Sequence, residues 1–461
     1  MAGMGGTFGK PARLGFPAAA GADYDPRETT LARDGRGWHT MRWLLIGYMF
    51  LFIDRPFEVW PWLGELHLER VYMLFTLAVW LVYPHKRWLP NVLQAAYIAF
   101  ALAVLGCWVM SPWSEHGQPV VEDWFKILVF YYLLVTTIND ERGLRTITVG
   151  FLTVIGLYLA HSLREYLGGR HTYRMGIARM IGVDSTLGDP NSFGASIVFA
   201  LPIVVAVWRS GIGGQTGKWL LAGYVGLSGL CVLLTGSRSS FLGLILCSLL
   251  VIAGSRHRLS ALLGFVLLAP LAFVALPESL QTRFETIVNP DVGPANARES
   301  GHGRLEGLFT GLRLWEANPL TGVGPGAWRP ATRSKIESHN LYGQLMGELG
   351  LVGIIAFLSI LAGFWANLRA LRRLRRDYPQ WERAIFFTLP GPVGIGIILL
   401  LFMGNFGHNL FRFTWLWYGG FLIIARHCAE RHVMNAEPEP CPEAESGHEL
   451  PPGWILHPRH D

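Results

Sequence analysis

NLYGQLMGELGLVGIIAFLSILAGFWANLRALRRLRRDYPQWER, residues 340–383, decides the fold. Between Asn340 and Ala366 the only charged residue is Glu348. A bilayer's hydrocarbon core needs roughly 20 apolar residues of helix, so this run is long enough to cross one. The chain then turns basic, with Arg369, Arg372, Arg373, Arg375, Arg376 and Arg383 in the connection that follows. Short loops rich in Lys and Arg stay on the cytoplasmic side. One segment therefore predicts a span and its orientation.

The same window, carried outward, finds spans near 40–54, 70–84, 90–110, 120–138, 143–161, 192–208, 217–236, 239–254 and 258–276, then near 340–366, 385–404 and 408–426. These make twelve, although the first two are short and could form one broken or tilted element. Composition agrees. Hydrophobic residues are 51% and charged residues 16% of the chain, against roughly 25% charged in soluble proteins. The mean hydropathy is +0.32, and 18 Trp and 14 Tyr suit the aromatic belts of a bilayer interface. The expected fold class is all-α, a polytopic membrane protein with a helical outer loop.

The polar stretch 1–39 lacks the apolar core and cleavage site of a signal peptide, so the first span is expected to act as its own insertion signal. With that tail inside, the inner loops carry Lys86-Arg87, Arg142 with Arg145, Arg209 with Lys218, and Arg256 with Arg258. Residues 40–276 then hold nine spans with an outer loop at 162–191, 277–339 form a large outer loop, and 340–432 hold the last three spans. The even count returns 433–461, rich in Pro, Glu and His, to the cytoplasm as a disordered tail. Within the second outer loop, 299–317 places Leu305, Leu308, Phe309, Leu312 and Trp315 at helical spacing. It is too polar to span and is expected to lie along the membrane surface.

Several function classes drop out. The net charge of +6 is dispersed among apolar spans, with no basic stripe for nucleic acid. The five cysteines form no CxxC pair, so neither a disulfide framework nor a metal site is supported, and no cofactor is expected. Repeats of solenoid period are absent from the sequence.

Arginine outnumbers lysine 34 to 5. The outer segments hold Arg164, Arg170, Arg174, Arg179, Arg283, Arg298, Arg304, Arg313, Arg329 and Arg333, joined by Arg55, Arg70 and Arg238, against one lysine, Lys335. Taken singly, each fits a solvated outer face. Taken together, the preference for a planar fork points to bidentate contacts with phosphate oxygens. Arg238, in LLTGSRSSFLG, sits between two apolar spans with almost no loop around it. A guanidinium there is costly unless it faces an anion or a wet cavity.

Two further motifs lie outside. In TYRMGIARMIGVDSTLGDPNSFGAS (172–196), Arg174 and Arg179 precede Asp189-Pro190-Asn191, where capping of the next span is the preferred reading for Asp189 and Asn191. In NPLTGVGPGAWRPATRSKIESHNLYGQLMGELGLVG (318–353), His339 and Asn340 stand at the outer start of the tenth span. A helix N-terminus favours the neutral imidazole that a general base needs. Gly343, Gly347 and Gly350 can allow close helix packing. Glu348 reads either as a structural carboxylate paired with an arginine or as a functional intramembrane acid.

The stretch His339-Asn340, nine residues, Gly350, two residues, Gly353 resembles the H-[N/S/Q]-x9-G-x-x-[G/T/Y] signature of bacterial O-antigen ligases. NPLTGVGPG, the SRSS turn and the GDPN span entry are similar to features of the wider O-antigen ligase and polymerase superfamily, over about 170–360. The resemblance implies a metal-independent, inverting, GT-C-like glycosyltransferase that uses an undecaprenyl-diphosphate-linked glycan as donor at the periplasmic face of the bacterial inner membrane. It implies that Arg179 and Arg238 hold the diphosphate, with Arg174 and Arg304 as further candidates and Arg174 an alternative to Arg179. His339 would take the acceptor's proton, Asn340 would orient the acceptor or the histidine, and Asn191 and Glu348 would support. The acceptor is either lipid A-core, as in a ligase, or a lipid-linked repeat, as in a polymerase; the histidine signature favours the ligase. A transporter of polyprenyl-linked sugars would instead want midplane charges and repeated halves, which the sequence lacks. A non-catalytic scaffold would not need His339.

Overall fold

The structure, a computed structural model, describes residues 36–174, 177–184, 188–289, 295–334 and 337–436. The expected tails, apart from 36–39 and 433–436, fall outside these residues, as do Lys335 and the side chains of Arg174 and Arg298. Two compact units divide after Thr40; in the first, the described residues 36–40 are helical, and the second is Met41–Asp461.

The elements run α1 (Arg36–Ile53), α2 (Pro56–Val59), α3 (Pro61–Glu65), α4 (Leu68–Val82), α5 (Val92–Val109), α6 (Ser114–Thr137) and α7 (Glu141–Leu167). A short ribbon of β1 (His171–Arg174) and β2 (Ile177–Met180) follows. Then come α8 (Pro190–Ser210), α9 (Gly214–Leu234), α10 (Arg238–Ala253), α11 (Arg258–Val274), α12 (Glu278–Glu285), α13 (Ala295–Ala317) and α14 (Trp328–Thr332). The chain ends with α15 (Leu341–Asp377), α16 (Ile385–Thr388), α17 (Pro390–Met403) and α18 (Phe413–Ala436). Each window read as a span falls largely on helix. Among the described residues six stretches, α5, α7, α8, α9, α15 and α16 with α17, are long and apolar enough to cross a membrane, and α10 and α11 are shorter apolar helices. The molecule is a polytopic membrane protein. Outward-facing Leu263, Leu267, Leu271 and Val274 on α11 fit lipid contact.

One alternative left by the sequence is resolved, and two local outcomes differ from the reading. Of the two readings of the first two windows, the structure takes separate helices, because Pro56 and Pro61 restart the chain and Arg55 and His67 take positive φ between them. The last window begins at Phe413, so 404–412 is a loop. The ribbon pairs His171 with Met180 and Arg174 with Ile177, a short antiparallel exception to an all-helical chain.

Local capping explains where the helices begin. Asn91 accepts from the Leu93 N–H, Asp140 from Gly143, Asp189 from Asn191 and Ser192, Ser237 from Ser240, and Asn340 from Tyr342 and Gly343. Each side chain satisfies amides that the first helical turn cannot. Pro190 follows Asp189 at the first position of α8, where a missing N–H costs nothing.

The loops expected inside meet one another. Arg42 pairs with Asp140 at 2.6 Å, His432 approaches Glu141 at 3.4 Å, Arg87 N–H donates to Thr136 O, and Arg256 reaches Glu382. The loops expected outside meet at the other end: Arg170 donates to Val183 O, Arg283 to Gly236 O, and the Ser111 hydroxyl to Val323 O. Between them lies a dense core in which Tyr97, Phe100, Phe130, Tyr131, Trp417 and Tyr418 are fully buried.

Candidate functional site

α15 is not one continuous helix. Gly350 has φ 57° and ψ −155°, a conformation open essentially to glycine alone, and it interrupts the helical ladder. Residues 319–324 fill the interruption. Val323 and Gly324 donate to the carbonyls of Gly347 and Glu348, while Leu351 and Val352 donate back to Pro319 and Leu320. Irregular backbone at membrane depth survives only where protein satisfies it, and these four hydrogen bonds do so. The spacing of the His339-Asn340…Gly350 signature thus has a physical reason: its glycine is the break that lets the first part of α15 take its own direction.

Glu348 secures the same loop. It is 2% exposed, and its Oε2 accepts from Gly326 N–H and Gln344 Nε2, each at 3.1 Å. Its hydrogen bonds come from a backbone amide and a glutamine, where the structural reading of the sequence had an arginine. Gly326, at φ 69°, needs the freedom of glycine to present that amide.

α13 crosses the first part of α15 glycine to glycine. A Cβ at Gly311 would strike Gly343 backbone, and one at Gly343 would strike Gly307. Two small-residue pairs, Gly307 with Gly311 and Gly343 with Gly347, allow this approach. The crossing leaves Leu305 and Phe309 facing outward, so the packing face is the glycine face and not the apolar stripe. It also sets Gly307 against Ser338, His339 and Asn340.

His339 lies just before the Asn340 cap, with its ring open to solvent on one side. The ring centroid of His408 is 4.4 Å away, at an interplanar angle of 53°. Crowding on its covered side, His408 and Arg304 push the His339 imidazole down to about 4, with Asp189 and Glu337 opposing. It is therefore neutral at physiological pH and able to accept a proton. Arg304 lies over the Phe406 ring at 5.2 Å, and burial together with the charge of Arg238 lowers it to about 10. Two guanidiniums near enough to disfavour each other's charge make a place where an anion is welcome. The N-termini of α8, α10 and α15 open at this end and add partial positive charge.

The remaining candidates separate by role. Half-buried Arg238 donates from Nη1 to the Thr286 hydroxyl. Arg179 is 2% exposed; its Nε donates to Thr235 O at 2.7 Å and its Nη2 to Asn191 Oδ1 at 3.1 Å. It ties the entry of α8 to the turn that delivers Arg238. Asn191 receives that bond, and Asp189 caps, as expected. Asn340 is 4% exposed and its Oδ1 is engaged by the Tyr342 and Gly343 amides, which fixes the α15 start more directly than any acceptor. Among the described residues no three His, Cys, Asp or Glu side chains gather as a metal site would need.

Sequence reasoning missed His408, Glu337 and Arg412. His408 Nδ1 stands 3.9 Å from Glu337 Oε2, and Arg329 holds Glu337 Oε1 at 3.0 Å. Arg412 is 7% exposed and donates to Ser192 O at 3.1 Å and to the Ser196 hydroxyl, pinning the start of α18 to α8. The available signal was GNFGHNLFR (404–412), a polar island holding a second His-Asn pair between two apolar runs.

Residues 223–358 match the family model described as O-antigen ligase, and this stretch is a domain of that family. It contains Arg238, Arg304, His339, Asn340, Glu348 and Gly350, while Arg179, Asn191 and His408 lie outside it. No curated protein matches the chain.

Proposed function

We propose that this protein is an inverting glycosyltransferase of the bacterial inner membrane. It moves a glycan from an undecaprenyl-diphosphate donor to an acceptor hydroxyl at the periplasmic face, as an O-antigen ligase acting on lipid A-core. The family match over 223–358 supports a ligase or polymerase transferase with lipid-linked glycan substrates. The observation that carries the rest is the grouping at one end of the bundle of a neutral imidazole, His339, with Arg304 and, within Arg304's electrostatic reach, Arg238.

In this reading Arg238 and Arg304 grip the diphosphate and take up the charge that develops as it leaves, the largest single contribution such a site can make. Arg179 acts from behind, by holding the turn at Thr235 and the α8 entry. His339 accepts the proton as the acceptor O–H bond breaks. The acceptor oxygen bonds to the anomeric carbon from the face opposite the diphosphate, and the C–O electron pair departs with the diphosphate. The twelve expected spans would cross the membrane with the arginine-rich connection 367–384 in the cytoplasm.

The test is transfer in reconstituted vesicles with a purified diphospho-lipid donor, offered core oligosaccharide or lipid-linked repeat unit separately. Product on the core supports the ligase; product on the repeat alone makes it a polymerase; product on neither rejects the enzyme. His339→Ala should leave protein level and thermal midpoint unchanged and abolish transfer, and normal transfer by it removes His339 as the base.

A further inference from the structure

The loop 404–412 is fastened at both ends. Leu341 N–H donates to Gly404 O at 2.6 Å, Asn409 Nδ2 to Leu400 O, Trp415 Nε1 to Asn409 O, and Arg412 to the first turn of α8. Such anchoring holds one ring, His408, in contact with His339. Behind it, Glu337 faces the His408 Nδ1 on one carboxylate oxygen and Arg329 on the other. His339, His408, Glu337 and Arg329 form a row from the mouth of the site to its rim.

We infer that His408 and Glu337 are positioning residues for the base: His408 fixes the His339 ring, and Glu337 supplies, through His408, the negative charge that the imidazolium formed at His339 requires. This rests on His339 being the base. A general base gains a positive charge as the acceptor O–H bond breaks and its own N–H bond forms. The groups already facing it from α13 and from 404–412, the charged Arg304 and the neutral His408 ring, supply no negative charge to balance it. Asp189, at the α8 entry, and Glu337, on His339's own loop, are the two carboxylates within reach of both imidazoles. Asp189 is committed to capping α8 through both oxygens. Glu337 is held by Arg329 on one oxygen, and its second oxygen faces His408. An arginine that orients a carboxylate, which in turn orients a histidine, serves the same purpose as the acid in a catalytic triad.

Glu337→Gln tests this. The Arg329–Glu337 pair is about half exposed, so losing it costs little stability and the protein still folds. Transfer is measured at varied donor concentration from pH 3 to 8. Glu337→Gln should lower kcat ~10-fold, leave the donor KM unchanged, and move the acid limb to lower pH, because a group favouring the imidazolium is gone. Glu337→Asp should restore most of the rate. His408→Phe keeps a ring against His339 without a nitrogen for Glu337, and should lose kcat to the same extent. A wild-type plateau and acid limb in both Glu337→Gln and His408→Phe overturns the inference while His339→Ala is inactive. If His339→Ala itself transfers normally, the base assignment fails, and this inference with it.

Discussion

Gly350→Ala should unfold the break in α15 more than any other single methyl added to this helix. The residue sits at φ 57°, ψ −155°, where a side chain costs ~1–3 kcal/mol of strain. The new Cβ would stand 2.6 Å from both Gly322 N and Leu320 O. Both are backbone atoms of the filling loop, so relief requires the loop to move away from α15. Four loop-to-helix hydrogen bonds hold it there. Losing two, at ~1 kcal/mol each, brings the total to ~3–5 kcal/mol. The assay is the thermal midpoint of purified protein in detergent, read alongside transfer. Gly226→Ala in α9 is the control: its Cβ would meet nothing within 4 Å, and a helix-interior Gly to Ala change gains up to ~1 kcal/mol. A Gly350→Ala protein with the midpoint and activity of wild type would refute the break as a structural necessity.

Arg238→Lys keeps the charge but replaces a planar fork by a point charge, and should cut transfer ~100-fold, with the loss appearing in kcat/KM for the donor. Wild-type rates would dismiss a bidentate contact. The pH dependence of kcat/KM for the donor reports the free protein. Because crowding, His408 and Arg304 all disfavour the imidazolium, the acid limb should lie near pH 4, below the ordinary histidine range, with a flat rate from about pH 5.5 to 8. A rate already halved at pH 6.5 would contradict the described surroundings of His339.

What could be read in advance follows from the range of the signals. Asp189, Asn340 and Ser237 cap the turns that follow them within three residues, so GDPN, HN and SRSS announce helix starts without knowledge of the rest. Gly350 was visible as a position in a signature, but its reason lies in a loop near residue 320 that no local pattern connects to it. Glu348 shows the same limit. Its place in an apolar run was evident, whereas its partner Gly326 N–H is a backbone group and carries no side-chain signal. His408 was hidden because the apolar window 408–426 absorbs His408, Asn409 and Arg412 without losing its average. On α13, periodicity picked out Leu305 and Phe309 as an apolar stripe for the membrane surface, yet the close approach to α15 is set by the absence of side chains at Gly307 and Gly311, to which apolar periodicity is blind.

A helix that runs unbroken through the bilayer would fix the direction of its first turn by the direction of its span. Breaking α15 at Gly350 removes that constraint, and the loop takes over the task of orientation: it satisfies the freed amides and carbonyls, and Glu348 fastens it from within. The position of His339 is then determined on three sides, by the Asn340 cap, by the glycine crossing of α13, and by the anchored loop 404–412. None of these contacts involves the imidazole nitrogens. A neutral histidine can stay free for a proton only if the chain around it is held by something else, and here backbone and glycine do the holding. Substitutions at Glu348 or Gly343 should therefore act on transfer through the placement of His339, even though neither side chain needs to touch a substrate.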